Sequence, residues 1–87
     1  MSMEYIKPVR CETVVLGGTD TLSDTHGLAA RLRVDTGSIY VTGAEDTLSD
    51  ASYKLSENDE LFFGGTLKMK AASGSSATVK ILYFEAI

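Results

Sequence analysis

The feature that most restricts this chain is a two-residue rhythm of apolar side chains. Leu28, Ala30, Leu32 and Val34 fall on one parity, while Arg31, Arg33 and Asp35 fall on the other. That is the pattern of a strand with one face in water. Ile39 and Val41 resume it, opposed by Tyr40 and Thr42. It returns in Leu67, Met69 and Ala71 against Thr66, Lys68 and Lys70, and again in Ala77, Val79, Ile81 and Tyr83 against Thr78 and Lys80. Towards the end of the chain Leu82 and Phe84 make both parities apolar, which places that strand in the middle of a sheet or under a partner.

Turn chemistry separates these runs. Asp35-Thr36-Gly37-Ser38 reads as a tight hairpin turn with Gly37 free to take a positive φ, and Ser73-Gly74-Ser75-Ser76 reads as its counterpart in the second half. Tyr53-Lys54-Leu55 and Leu61-Phe62-Phe63 read as short strands on either side of the polar turn Ser56-Glu57-Asn58-Asp59. Residues 5–16 supply one or two more strands. Pro8 cannot donate to a ladder, so its stretch belongs at an edge or in an arm. No long segment carries a 3.6-residue apolar stripe, and the best helical candidate, residues 23–30, contains Gly27 and is poorly patterned. The expected fold is all-β: a small antiparallel β-sandwich or jelly-roll-like barrel of about six to eight short strands. Residues 1–10 are expected to form an extended arm or edge strand and residues 11–87 the single domain.

Size sharpens the picture. A chain of 87 residues buries only roughly 60–65% of its unfolded surface, so small domains add disulfides, metals or partners. One cysteine, Cys11, cannot form an internal disulfide, and one histidine, His26, is a poor start for a zinc site. Association between copies is the remaining route. The formal charge of −4 and the scatter of eight basic residues, densest at Lys68 and Lys70, argue against nucleic acid and anionic membranes as partners. No apolar run approaches the roughly 20 residues of a membrane span. The start of the chain, with Glu4 and Lys7, lacks a signal peptide's apolar core, so synthesis and folding in a reducing cytoplasm are expected.

Several motifs invite chemistry and have simpler readings. Asp35-Thr36-Gly37 matches the aspartic-protease triplet, whose two carboxylates share a proton and activate water. Arg33 stands where that motif wants an apolar residue, however, and the tetrapeptide is ordinary turn chemistry. Asp20, Asp24, Glu45, Asp46 and Asp50 could offer oxygens to Ca²⁺, but without EF-hand spacing they read as turn caps. Gly17-Gly18 and Gly64-Gly65 precede no Lys-Ser/Thr and read as bends or bulges. Cys11 reads as a small, partly buried apolar residue and His26 as a solvent-exposed loop residue. Gly17 to Asp24 (GGTDTLSD) and Gly43 to Asp50 (GAEDTLSD) agree at six of eight positions and read as two equivalent loops. No catalytic residue, metal ligand or cofactor site follows, and the chain is not expected to be an enzyme. The aromatic residues are the remaining candidates: Tyr40, Tyr53, Phe62 and Phe84 for packing between subunits, with Tyr40 and Tyr53 leaving open a carbohydrate- or receptor-binding surface.

One resemblance goes further. The strand-turn-strand from Leu32 through Asp35-Thr36-Gly37-Ser38 to Val41, then Tyr53-Lys54-Leu55, Asp59-Glu60-Leu61 and the run from Ala71 to Tyr83, together look like the small β-rich virion proteins of tailed bacteriophages, described as head-fibre, decoration or other capsid-associated components. The resemblance covers about two-thirds of the chain. It implies a virion structural subunit made in the host cytoplasm, a homo-oligomer and typically a trimer, whose partners are itself and other virion proteins.

Overall fold

The computed structural model describes residues 6–72 and 76–86. It is all-β. β1 (Ile6–Leu16), β2 (Thr21–Thr36), β3 (Ile39–Gly43), β4 (Tyr53–Leu55), β5 (Glu60–Ala71) and β6 (Ala77–Ala86) form one antiparallel sheet in the order β1-β6-β2-β5-β3-β4. The pairs are nested: β1 with β6, β2 with β5, and β3 with β4. The sheet curls so that the end of β1 comes against the end of β5. Ala71 N–H donates to Gly17 O at 2.9 Å, and Ala72 N–H donates to Ser38 O at 2.9 Å. The Cα radius of gyration is 12.8 Å, close to the roughly 12 Å of a compact chain of this length.

The alternation read from sequence fills the inside of that curl. Leu16, Leu32, Val34, Ile39, Met69, Val79 and Ile81 are wholly buried, joined by Val41, Leu55, Ala71 and Tyr83. At roughly 25 cal/mol per Å² of apolar surface, a buried aliphatic side chain contributes about 2 kcal/mol. One copy thus completes its own core, and what remains for partners lies on the outer face. β6 runs between β1 and β2; Tyr83 is buried on its inner face, and Phe84, on the outer face, is buried where the Phe62 ring meets it edge-on.

Two expected hairpins do not exist. The turn at residues 35–38 joins β2 to β3, yet β5 lies between them; β5 and β6, joined through residues 73–76, have β2 between them. Residues 73–75 lie outside the described residues. Gly37 does take a positive φ, +79°, but as the corner of a crossing and not of a hairpin. Alternation fixes which face a strand buries and leaves its neighbours open, because each neighbour is chosen by the curl of the whole sheet. The turn at residues 56–59 is as expected: Asn58 has φ +73°, and Ser56 N–H donates to Asp59 Oδ2 at 2.8 Å. Pro8 sits on the edge strand β1 at a register shift, where its missing N–H costs nothing.

The two octapeptides are not equivalent loops. Thr21-Leu22-Ser23-Asp24 opens β2, whereas Thr47-Leu48-Ser49-Asp50 is irregular. Leu22 is exposed on the sheet face; Leu48 is buried and anchors its loop. Identical residues diverge because the first copy has β5 beside it as a ladder partner and the second does not. The former helix candidate, residues 23–30, is strand interrupted by a bulge. Four residues of β2, Thr25 to Leu28, oppose the single Gly65 of β5, with positive φ at His26, Gly27 and Gly65. Gly65 N–H donates to Thr25 Oγ1 at 3.0 Å, and Thr25 is buried. The bulge also switches parity, so Ser23 and Thr25 point inward before it and Ala30, Leu32 and Val34 after it.

Gly37 is the most constrained position. A Cβ there would lie 2.8 Å from Ser76 O and 3.0 Å from Ala77 Cβ, on a left-handed backbone. Gly37→Ala is expected to cost about 2 kcal/mol or more, roughly 10 °C of melting temperature. Gly17→Ala, with nothing within 4 Å, is the control expected to melt like the parent by circular dichroism.

Candidate functional site

The outer face of β1, β6, β2 and β5 is a shallow surface whose rows follow from register. Cys11 pairs with Leu82, Leu82 with Arg31, and Arg31 with Phe62. The row beside it runs Pro8, Phe84, Ala29, Gly64, and the row on its other side Thr13, Lys80, Arg33, Glu60. Because β2 is paired on both flanks, these side chains are held on a rigid surface. Phe62 is 60% exposed. Its ring meets Phe84 edge-on, with centroids 6.3 Å apart and planes at 88°, and the Arg31 guanidinium lies 5.6 Å from its centroid. Arg31 also pairs with Glu60.

The Arg31–Phe62 pair forms a ridge between two hollows. One, of about 660 Å³, lies beside the bulge and is lined by Gly27, Leu28, Ala29, Phe62, Phe63, Gly64 and Glu85. It exists because Gly64 and Ala29 leave the row almost without side chains. The other, about 290 Å³, is lined by Cys11, Arg31, Arg33, Glu60, Lys80 and Leu82. The first is chiefly apolar; the second has three cations, Arg31, Arg33 and Lys80, against one carboxylate, Glu60.

Of the four aromatics singled out from sequence, the fold brings Phe62 and Phe84 together. Tyr40 and Tyr53 stay apart. Tyr40 shares its face with Lys54 and Lys70, whereas Tyr53 is opposite Val41 on the other face of the β3–β4 hairpin. Cys11, expected to be partly buried, is exposed, because its parity is that of the outer face. His26 is exposed, as expected. Asp35 accepts from Arg33 at 3.0 Å. Asp24 accepts from His26 N–H at 2.9 Å, and Asp46 from Thr42 Oγ1 and Thr47 N–H, so these acids cap turns. Among the described residues no three His, Cys, Asp or Glu side chains form a group able to hold a metal ion. Sequence reading missed the cationic hollow, because Lys80 is far in the chain from Arg31 and Arg33 and only the β2–β6 register joins them. No protein-family model matches the chain, and no curated protein matches it.

A polar cluster closes one edge of the core. The Tyr83 hydroxyl donates to Glu12 Oε1 at 2.8 Å, and the Arg10 guanidinium lies 4.0 Å from the centre of the Tyr83 ring. Burial raises the Tyr83 pKa above its ordinary 10.0, and the hydrogen bond to Glu12 and that carboxylate's charge push the same way. The folded chain therefore holds this proton after the unfolded chain has lost it. The contribution to stability is complete below the unfolded value and disappears as pH rises through the folded one. Melting temperature is expected to fall as pH rises above about 10, and Tyr83→Phe is expected to make that fall shallower; an unchanged slope counts against the cluster.

Proposed function

We propose that the protein is a structural subunit of a tailed-phage particle, acting by contacts between copies and with neighbouring virion proteins. The observation that carries this reading is Phe62, an aromatic ring standing 60% exposed on a flat sheet face. Its ring packs on the buried Phe84, and half-buried Leu82 and Ala29 and exposed Cys11 continue the surface in the adjoining rows. Single apolar residues on a surface are commonplace; a contiguous patch rimmed by charge marks a place where another protein sits. Here the rim is Arg31, Arg33, Lys80, Glu60 and Glu85. Val15, 71% exposed on the same face of β1, and the open edge of that strand extend the contact surface. The phage setting comes from the resemblance of the strand and turn sequence described above, and the sheet face supplies the physical means of assembly.

Light scattering and sedimentation test this reading. The protein is expected to be a defined oligomer at micromolar concentration. Phe62→Ser should weaken association by roughly 30-fold, the loss expected for an aromatic anchor worth about 2 kcal/mol, while its melting curve stays close to that of the dissociated parent. A parent that remains monomeric at every concentration, and a glycan screen that returns ligands dependent on Tyr40 or Tyr53, would favour a carbohydrate-binding module instead.

A further inference from the structure

The cationic hollow contains an electrostatic conflict. Register sets Arg33 and Lys80 directly opposite each other on neighbouring strands, both exposed. Like charges so placed, with Cβ atoms about 5 Å apart, destabilise a sheet. Glu60 answers Arg31 and Asp35 answers Arg33. Among the described residues Lys80 has no ion-pair or hydrogen-bond partner. One uncancelled positive charge therefore stands beside Leu82 and Cys11, on a chain whose formal charge is −4.

The same chain carries the complementary surface. Residues 44–52 form a loop held by bonds within it and to neighbouring strands: Asp46 N–H to Gly43 O at 3.1 Å, Ser52 N–H to Ser49 O at 3.0 Å, and Lys68 Nζ to Asp46 O at 2.6 Å. Leu48 is buried beneath it. Glu45 and Asp50 project from it, exposed, and neither has a partner among the described residues. A pre-ordered loop brings its carboxylates to a partner at little entropic cost.

We propose that this acidic loop of one copy docks into the cationic hollow of the next, with Glu45 and Asp50 accepting from Lys80 and Arg33. The inference rests on the reading of the protein as an assembling subunit and names one contact of that assembly. Loop and hollow are different surfaces, so the contact is head-to-tail and closes into a ring or runs on as a chain according to the rotation between copies.

Charge exchange tests it, using sedimentation of the full chain at low and high salt. Lys80→Glu alone and Glu45→Lys with Asp50→Lys are each expected to weaken association by about tenfold or more. Mixing the two variants should restore association pairwise, because the unaltered acidic loop of one meets the unaltered hollow of the other. Lys54→Glu with Lys70→Glu alters charge beside Tyr40, away from the hollow, and should associate like the parent. Lys80→Glu associating like the parent, a mixture that stays apart, or an equal loss in the Lys54/Lys70 variant overturns the proposal. If the parent assembles and Phe62→Ser dissociates it while Lys80→Glu does not, this contact alone fails. A parent monomeric throughout removes the assembling-subunit reading and this contact with it.

Discussion

Residues 29–33 of β2 are paired on both flanks, with β5 and with β6, and through them the two halves of the sheet are joined. β1 is attached through β6, and β3 and β4 through β5. Each attachment joins distant parts of the chain, from Ile6 with Ala86 to Leu32 with Ile81 and Leu61. The conformational entropy of closing such long loops is offset only when the inner face is filled, so the apolar inner parity and the nested pairing depend on each other. Leu32 and Val34, wholly buried at this junction, couple the two.

The bulge in β2 lets one sheet serve as both walls of a core. Opposing four residues with one bends the strand and strengthens its twist, and in the curled sheet the end of β1 reaches hydrogen-bonding distance of β5. Within it, the Gly65 N–H donates to the hydroxyl of the buried Thr25. The same feature shapes the outer face. Where β2 swings away, Gly64 and Ala29 leave a depression and Phe62 stands as its wall. A device required for closure also makes the surface on which a partner can rest.

Charge on that surface follows from strand parity. Every basic residue lies within a strand, while the acids that accept local bonds lie both within β2 (Asp24, Asp35) and between strands (Asp46, Asp59). Arg31 and Arg33 face outward because Leu32 and Val34 must face inward, and Lys80 is drawn to Arg33 by register. Local carboxylates neutralise all but one of these charges. The result is a face on which an apolar ridge adjoins a cationic hollow, on a molecule whose net charge is negative.

The sequence by itself determined the class of fold and the inward parity of its strands. A two-residue rhythm has only one way to bury its apolar side, and Val79, Ile81 and Met69 could be assigned to the core from that rhythm alone. It also indicated the turn at Asn58, the positive φ of Gly37 and the central position of β6. Tertiary structure decided which strands are neighbours. Apolar alternation carries no information about who lies alongside, so the chain segments that look like hairpins at residues 35–38 and 73–76 are crossings. The two octapeptides show the same limit: the ladder partner, and not the residues TLSD, decides between strand and loop. The cationic hollow and the Phe62–Phe84 pair were illegible for that reason, since each is assembled from strands whose adjacency is settled only when the whole sheet forms.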